Sequence, residues 1–256
     1  MRIPAFLILL CLGAIAPPAG AAPPPGEDMV RIPGGSYRPM FVNGAAVVRV
    51  RPFAMDRHPV SRREYAAFLR ANPDWRRSRL RRVYADSAYL GAWPGDADPG
   101  AANLSRPVTQ VSWFAAKRFC AWRGKRLPAT DEWEFVARAS ETDRNAVRSA
   151  LFSQRLLSII IARVPTANVG STFQNAYGVW DMHGLAWEWT LDFNSLLVST
   201  DSRATSGRDH ALFCAAGVIG ATDPNNYPAY LRYGYRAGLD GRSVGEGLGF
   251  RCAQDL

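Results

Sequence analysis

Apolar positions recur at helical spacing through the first two thirds of the chain and lose that rhythm towards the C-terminus. The first helical signal starts at Ser61. Ser61 and Glu64 have capping-box spacing, Val60 and Tyr65 suit a hydrophobic staple, and Tyr65, Phe68 and Leu69 share one face. Asn72 followed by Pro73 ends it. Residues 73–106 are rich in Arg, Gly, Pro and Asp and predict a long loop with one short helix. After the short apolar run Val108–Val111, Ser112 caps a second helix, Trp113–Arg123, which Gly124 stops; its buried face carries Trp113, Ala116, Phe119 and Cys120. A third helix begins near Thr130 and Asp131 and holds Trp133, Phe135 and Val136. Residues 145–163 also predict a helix, with Leu151, Leu156, Ile159 and Ile160 as its apolar positions. Upstream of these, Val30–Ile32 and Ser36–Tyr37 flank Pro33, Gly34 and Gly35 and predict a short hairpin. The alternation Val48, Arg49, Val50, Arg51 predicts a half-buried strand. The C-terminal part, with Trp187, Trp189, Phe193, Tyr230, Tyr233 and Tyr235, predicts short strands joined by long loops. No repeat or linker divides the chain, so residues 29–256 form one α+β domain with little regular structure.

Charge and cysteine content sharpen this picture. The formal net charge is +9 and almost entirely arginine, since Lys117 and Lys125 are the only lysines. The densest run (Arg76, Arg77, Arg79, Arg81 and Arg82) reads as a solvated segment. A nucleic-acid reader gathers its charge on one face or helix, so no nucleic-acid partner is expected. The N-terminus has the three parts of a secretory signal: Arg2, an apolar stretch over 5–15, and the small residues Ala19, Gly20 and Ala21. Residues 1–21 are therefore expected to be a signal peptide, followed by a Pro-rich leader over 22–28. No membrane span follows it, because no later stretch reaches the roughly 18 apolar residues needed. The expected location is periplasmic or secreted, an oxidising compartment. Cys11 leaves with the signal, and Cys120, Cys214 and Cys252 remain: one disulfide and one leftover thiol. No Ser/His/Asp set, phosphate loop, dinucleotide fingerprint or CxxC is present. Asp131, Glu132 and Glu134 sit in a first helical turn, where the dipole favours acids.

Three segments carry a family resemblance: VSWFAAKRFCAWRGKRLPATDEWEF from Val111 to Phe135, NAYGVWDMHGLAWEWT from Asn175 to Thr190, and GFRCA from Gly249 to Ala253. VRIPGGS from Val30 and PVSRREY from Pro59 add to them in the same order. The chain resembles the formylglycine-generating enzymes, or sulfatase-modifying factors. The resemblance implies a variant of the C-type lectin fold with long loops. It implies a disulfide between Cys120 and Cys252, with the family's second disulfide replaced by Ala137 and Ala237. It also implies a calcium site at Asp181, Gly184, Ala186 and Glu188. Two carboxylates and two backbone carbonyls in so short a span suit a hard cation; the alternative is an acidic turn capped by hydrogen bonds from Trp187 or arginines.

The family's oxidation of a substrate cysteine uses Cu(I) held by two cysteines, because polarizable thiolates match a polarizable d¹⁰ ion. Counted back from Arg236, those two positions fall near Tyr227 and Arg232, and neither is cysteine. Cys214 is the nearest thiol and the candidate catalytic residue. It is read as a copper or iron ligand with His183 or His210, as a redox thiol, or as a packed apolar side chain. Trp187, Arg232 and Tyr233 are candidate substrate-groove residues. His58, before Pro59, reads as structural. Two functions stand open: an exported oxidoreductase or maturation factor acting on a peptide or small molecule, and a non-catalytic lectin-like accessory module for a periplasmic enzyme.

Overall fold

The computed structural model describes residues 28–40, 47–162, 166–194 and 226–256. The elements are β1 (Met29–Ile32), β2 (Gly35–Tyr37), β3 (Val48–Val50), β4 (Phe53–Asp56), α1 (Arg62–Ala71), α2 (Trp113–Trp122), α3 (Thr130–Ala137), α4 (Ala150–Ile161), β5 (Trp187–Glu188), α5 (Tyr227–Ala237), β6 (Leu248–Gly249) and β7 (Ala253–Asp255). Short 3-10 turns lie at Pro73–Trp75, Ala101–Asn103 and Ala146–Arg148. The strands form an antiparallel sheet in the order β1-β4-β7, an antiparallel β2-β3 pair and a parallel β5-β6 pair. The loop-rich α+β architecture expected from sequence is what the chain adopts.

The expected hairpin at 33–35 is not formed. β1 pairs with β4 and β2 with β3, so residues 29–37 run as one interrupted strand opposite 48–56. Gly34 has φ +73, and a Cβ there would stand 2.5 Å from the carbonyl oxygen of Val50. Gly34 thus serves close approach of two backbones and Gly35 close approach to the Phe135 ring, and neither reverses the chain.

The helices start where their caps predict. In α1, Ser61 Oγ accepts from the Glu64 N–H while the Glu64 carboxylate accepts from the Ser61 N–H at 2.8 Å. In α2, Ser112 Oγ accepts from the Ala115 N–H. α3 has no side-chain cap of its own. Asp192 supplies one from 62 residues away, accepting from the Thr130 N–H at 2.7 Å. α4 buries Phe152 and Leu156 but leaves Leu151 and Ile161 exposed. Leu151 is therefore not a core position: the buried stripe starts one residue later.

α5 lies where strands were expected. Asn226 caps it, accepting from the Ala229 N–H, and Pro228 occupies its first turn, where a missing N–H costs nothing. Ala229, Arg232, Tyr233, Arg236 and Ala237 make its buried face. The period is helical, but arginines fill positions that a purely apolar reading skips.

Two aromatic cores hold these pieces together. In the larger, Tyr65 is fully buried, stacked on Phe119 at 5.7 Å and edge-on to Phe250 at 6.2 Å. Burying each such side chain contributes roughly 1.5–3 kcal/mol. The smaller core packs β1, β3 and β4 on Trp133 and Val136 of α3. A disulfide joins Cys120 of α2 to Cys252, with the Cα atoms 5.6 Å apart. Asp56 accepts from the Cys252 N–H at 2.9 Å and from Lys125, so the C-terminal strand is pinned to the N-terminal sheet as well.

Candidate functional site

The site is built around Trp133. On α5, Arg232 and Arg236 are four residues apart and therefore share a helix face. That face meets Glu134 of α3. Arg232 Nε donates to Glu134 at 3.0 Å and its Nη2 at 2.7 Å, and Arg236 Nη1 donates at 2.7 Å. All three side chains are almost wholly buried. Burial alone raises the Glu134 pKa, but the two guanidiniums overcome it and hold the carboxyl down at about 2. Both guanidiniums also lie over the Trp133 ring, with Cζ 5.5 and 4.7 Å from its centroid.

A second ion pair backs the first. Trp133 Nε1 donates to Glu188 at 2.7 Å. Arg251, from the GFRC segment, grips the same carboxylate with Nε at 2.7 Å and Nη2 at 2.8 Å. Arg251 and Glu188 are essentially inaccessible to solvent. Buried charges of this kind persist only when paired and fully hydrogen-bonded.

Between these groups lies a small cavity of ≈ 20 Å³, bounded by Trp133, His183, Trp187, Arg232, Tyr235 and Arg236. Trp187 stacks on Tyr235 with centroids 4.7 Å apart. Of the three expected groove residues, Trp187 and Arg232 line this cavity. Tyr233 points elsewhere: it packs with Met40 and Ala229 in a separate cluster. Tyr235 takes the place expected of it. The Arg232–Tyr235–Arg236 spacing was the available signal, visible only once the segment is read as a helix. Glu134 was read as an acid at a helix start; it is instead the anchor of the site.

The described side chains expected to hold metals, His183, Asp181 and Glu188, make hydrogen bonds within the protein. His183 is buried, and burial followed by the charge on Arg232 lowers its pKa to about 3. It is neutral at pH 7, and its Nε2–H donates to the Ala137 carbonyl at 2.9 Å. That nitrogen has no lone pair left for a metal. Asp181 accepts from the Gly170 N–H and, at 2.9 Å each, from the Thr172 N–H and hydroxyl. Glu188 accepts from Trp133 and Arg251. Every carboxylate oxygen of the expected calcium set thus already accepts a proton donor, and Arg251 is the cation beside Glu188. Among the described residues, no three His, Cys, Asp or Glu side chains stand in a metal-holding group. Cys214 and His210 lie outside the described residues. The residues near which the family resemblance puts copper, Tyr227 and Arg232, also do not fit Cu(I). A guanidinium carries only donors and a positive charge, and Tyr227, about half exposed, offers a hard phenol.

Residues 16–256 match the family described as Sulfatase-modifying factor enzyme 1-like domain. The chain is 28% identical to a bovine protein named Inactive C-alpha-formylglycine-generating enzyme 2, over 88% of this chain and 87% of that one. It is 26% identical to a formylglycine-generating enzyme of Streptomyces coelicolor, over 96% and 97% of the two chains. Among solved structures, PvdO from Pseudomonas aeruginosa superposes with a TM-score of 0.51 at 22% identity, covering 94% of this chain and all of that one, which shows a shared fold. The chain belongs to the formylglycine-generating enzyme, or sulfatase-modifying factor, family.

Proposed function

We propose that this protein is an exported maturation or accessory factor that engages a peptide or small-molecule substrate at the Trp187–Arg232 cavity, without the family's two-thiolate copper chemistry. One observation carries the reading: the helix Tyr227–Ala237, near whose Tyr227 and Arg232 the count from Arg236 puts the family's thiolates, contains no cysteine, and its Arg232 is a buried cation locked to Glu134. A thiol cannot be regained there by a rotamer change, and the positive charge repels a copper cation. The name of the bovine relative supports the reading, since that protein is called inactive within the same family. Export is supported by the signal-like N-terminus and by the Cys120–Cys252 disulfide, which suits an oxidising compartment. No described helix is long and apolar enough to cross a membrane.

The test is incubation of the mature chain with a cysteine peptide from a sulfatase, copper and oxygen, followed by mass spectrometry. The reading expects the peptide to keep its thiol under conditions in which a formylglycine-generating enzyme converts it to aldehyde. Conversion at a comparable rate would overturn it and favour an oxidoreductase working through Cys214.

A further inference from the structure

The guanidinium of Arg232 is only partly used. Nε and Nη2 form the edge that meets Glu134, which leaves Nη1 on the opposite edge. Nη1 is buried and has no hydrogen-bond partner. Arg232 lines the cavity and is 4% exposed. Arg232 and Arg236, which line the cavity, share the single carboxylate of Glu134, while Arg251 is matched by Glu188 and Asp181 is a further buried anion beside the Met182–His183 wall. His183 adds no charge at neutral pH. Asp131, the nearest further carboxylate on α3, is occupied by the Tyr37 hydroxyl at 2.6 Å and does not line the cavity. A buried cationic N–H without an acceptor is costly in a low-dielectric setting, and a group bringing a negative oxygen would satisfy it. The Glu188 carboxylate also lines the cavity, where Trp133 and Arg251 already donate to it, and beyond His183 the remaining wall is largely apolar, with Ile160, Met182 and the Trp187–Tyr235 stack.

The geometry points to a carboxylate-recognition site: one oxygen of a carboxylate on an aromatic or apolar body enters the cavity to accept from Arg232 Nη1, while the body lies against Trp187 and Tyr235. This deepens the functional reading above and rests on it for the position of the site. The cavity has room for one oxygen or one water, not for a whole ligand, so the apolar body stays at its mouth.

The experiment is calorimetric titration of the mature, disulfide-bonded chain with two matched pairs of probes. One pair is phenylacetate and phenylacetamide; the other is N-acetyl-Ala-Phe with a free C-terminus and the same peptide amidated. In at least one pair the acid is expected to bind about tenfold more tightly than its neutral amide. Which pair responds tells a free acid from a peptide terminus. Arg232→Lys keeps a cation opposite Glu134 but lacks the second edge, and is expected to lose that preference. Should the variant fail to fold, the acid–amide comparison on the wild-type chain decides alone. Equal binding of acid and amide, no binding of either acid to a folded chain, or an unchanged preference in Arg232→Lys would each overturn the inference. None of these results bears on copper, so the sulfatase-peptide assay judges the functional reading separately.

Discussion

Glu134→Gln removes one buried charge while nearly preserving shape. In the wild type that carboxylate is shared by Arg232 and Arg236, both about 5% exposed or less. The glutamine leaves two guanidiniums buried with a neutral acceptor. The magnitude follows from the depression of the Glu134 pKa from an ordinary 4.5 to about 2, which corresponds to about 3 kcal/mol of stability. Breaking a buried ion pair costs about 3–5 kcal/mol by an independent rule, so the two agree. The sign is that of a carboxylate stabilised in the folded state. Its contribution is complete above pH 4.5 and is lost as pH falls towards 2, because protonation then makes Glu134 resemble the glutamine. Urea unfolding of both proteins at a series of pH values between 7 and 2 measures this directly. Other carboxylates titrate in both backgrounds, so the difference between the two curves isolates Glu134. The expected difference is about 3 kcal/mol at pH 7, shrinking steadily below pH 4.5. A difference under about 1 kcal/mol at pH 7, or one that does not shrink on acidification, would refute the claim that this carboxylate holds the two arginines.

Further expectations concern the frame. Replacing Cys120 and Cys252 together by alanine opens a loop whose ends are 132 residues apart, and should lower unfolding free energy by about 4–5 kcal/mol in the chain-entropy picture; an unchanged urea midpoint would count against it. Gly249→Ala places a methyl 2.4 Å from the carbonyl oxygen of Val108, where neither backbone can yield cheaply, so a loss of about 3 kcal/mol is expected and a neutral substitution would contradict the packing. Because the Asp181 and Glu188 oxygens already accept protein donors, excess chelator should leave the melting temperature unchanged, whereas a fall of several degrees would show that the turn rearranges around calcium.

The helices of the N-terminal half were legible in the sequence because their signals are local. Ser61 with Glu64, and Ser112 with Ala116 and Phe119, carry cap and apolar face within one or two turns. The β1-to-β3 region misled because Gly34 and Gly35 have the chemistry of a turn, yet Gly34 is needed where two backbones touch and Gly35 where the chain passes the Phe135 ring. α5 was hidden because its buried face is made of arginine as much as aromatic carbon. Arg232 and Arg236 are buried only because Glu134, about 100 residues earlier, neutralises them. The same long-range pairing hid the fate of Glu188. Its partner, Arg251, lies 63 residues away, and the turn alone looks like an oxygen-rich cation site. The disulfide could be expected from the family resemblance but not from spacing.

Cu(I) titration of the disulfide-bonded chain against a competing chelator tests most directly whether the cysteine-free helix Tyr227–Ala237 can hold the ion. With a guanidinium at residue 232 and a phenol at residue 227, no stoichiometric high-affinity Cu(I) should be retained. One equivalent of tightly held Cu(I) with two sulfur neighbours in its X-ray absorption spectrum would contradict the account.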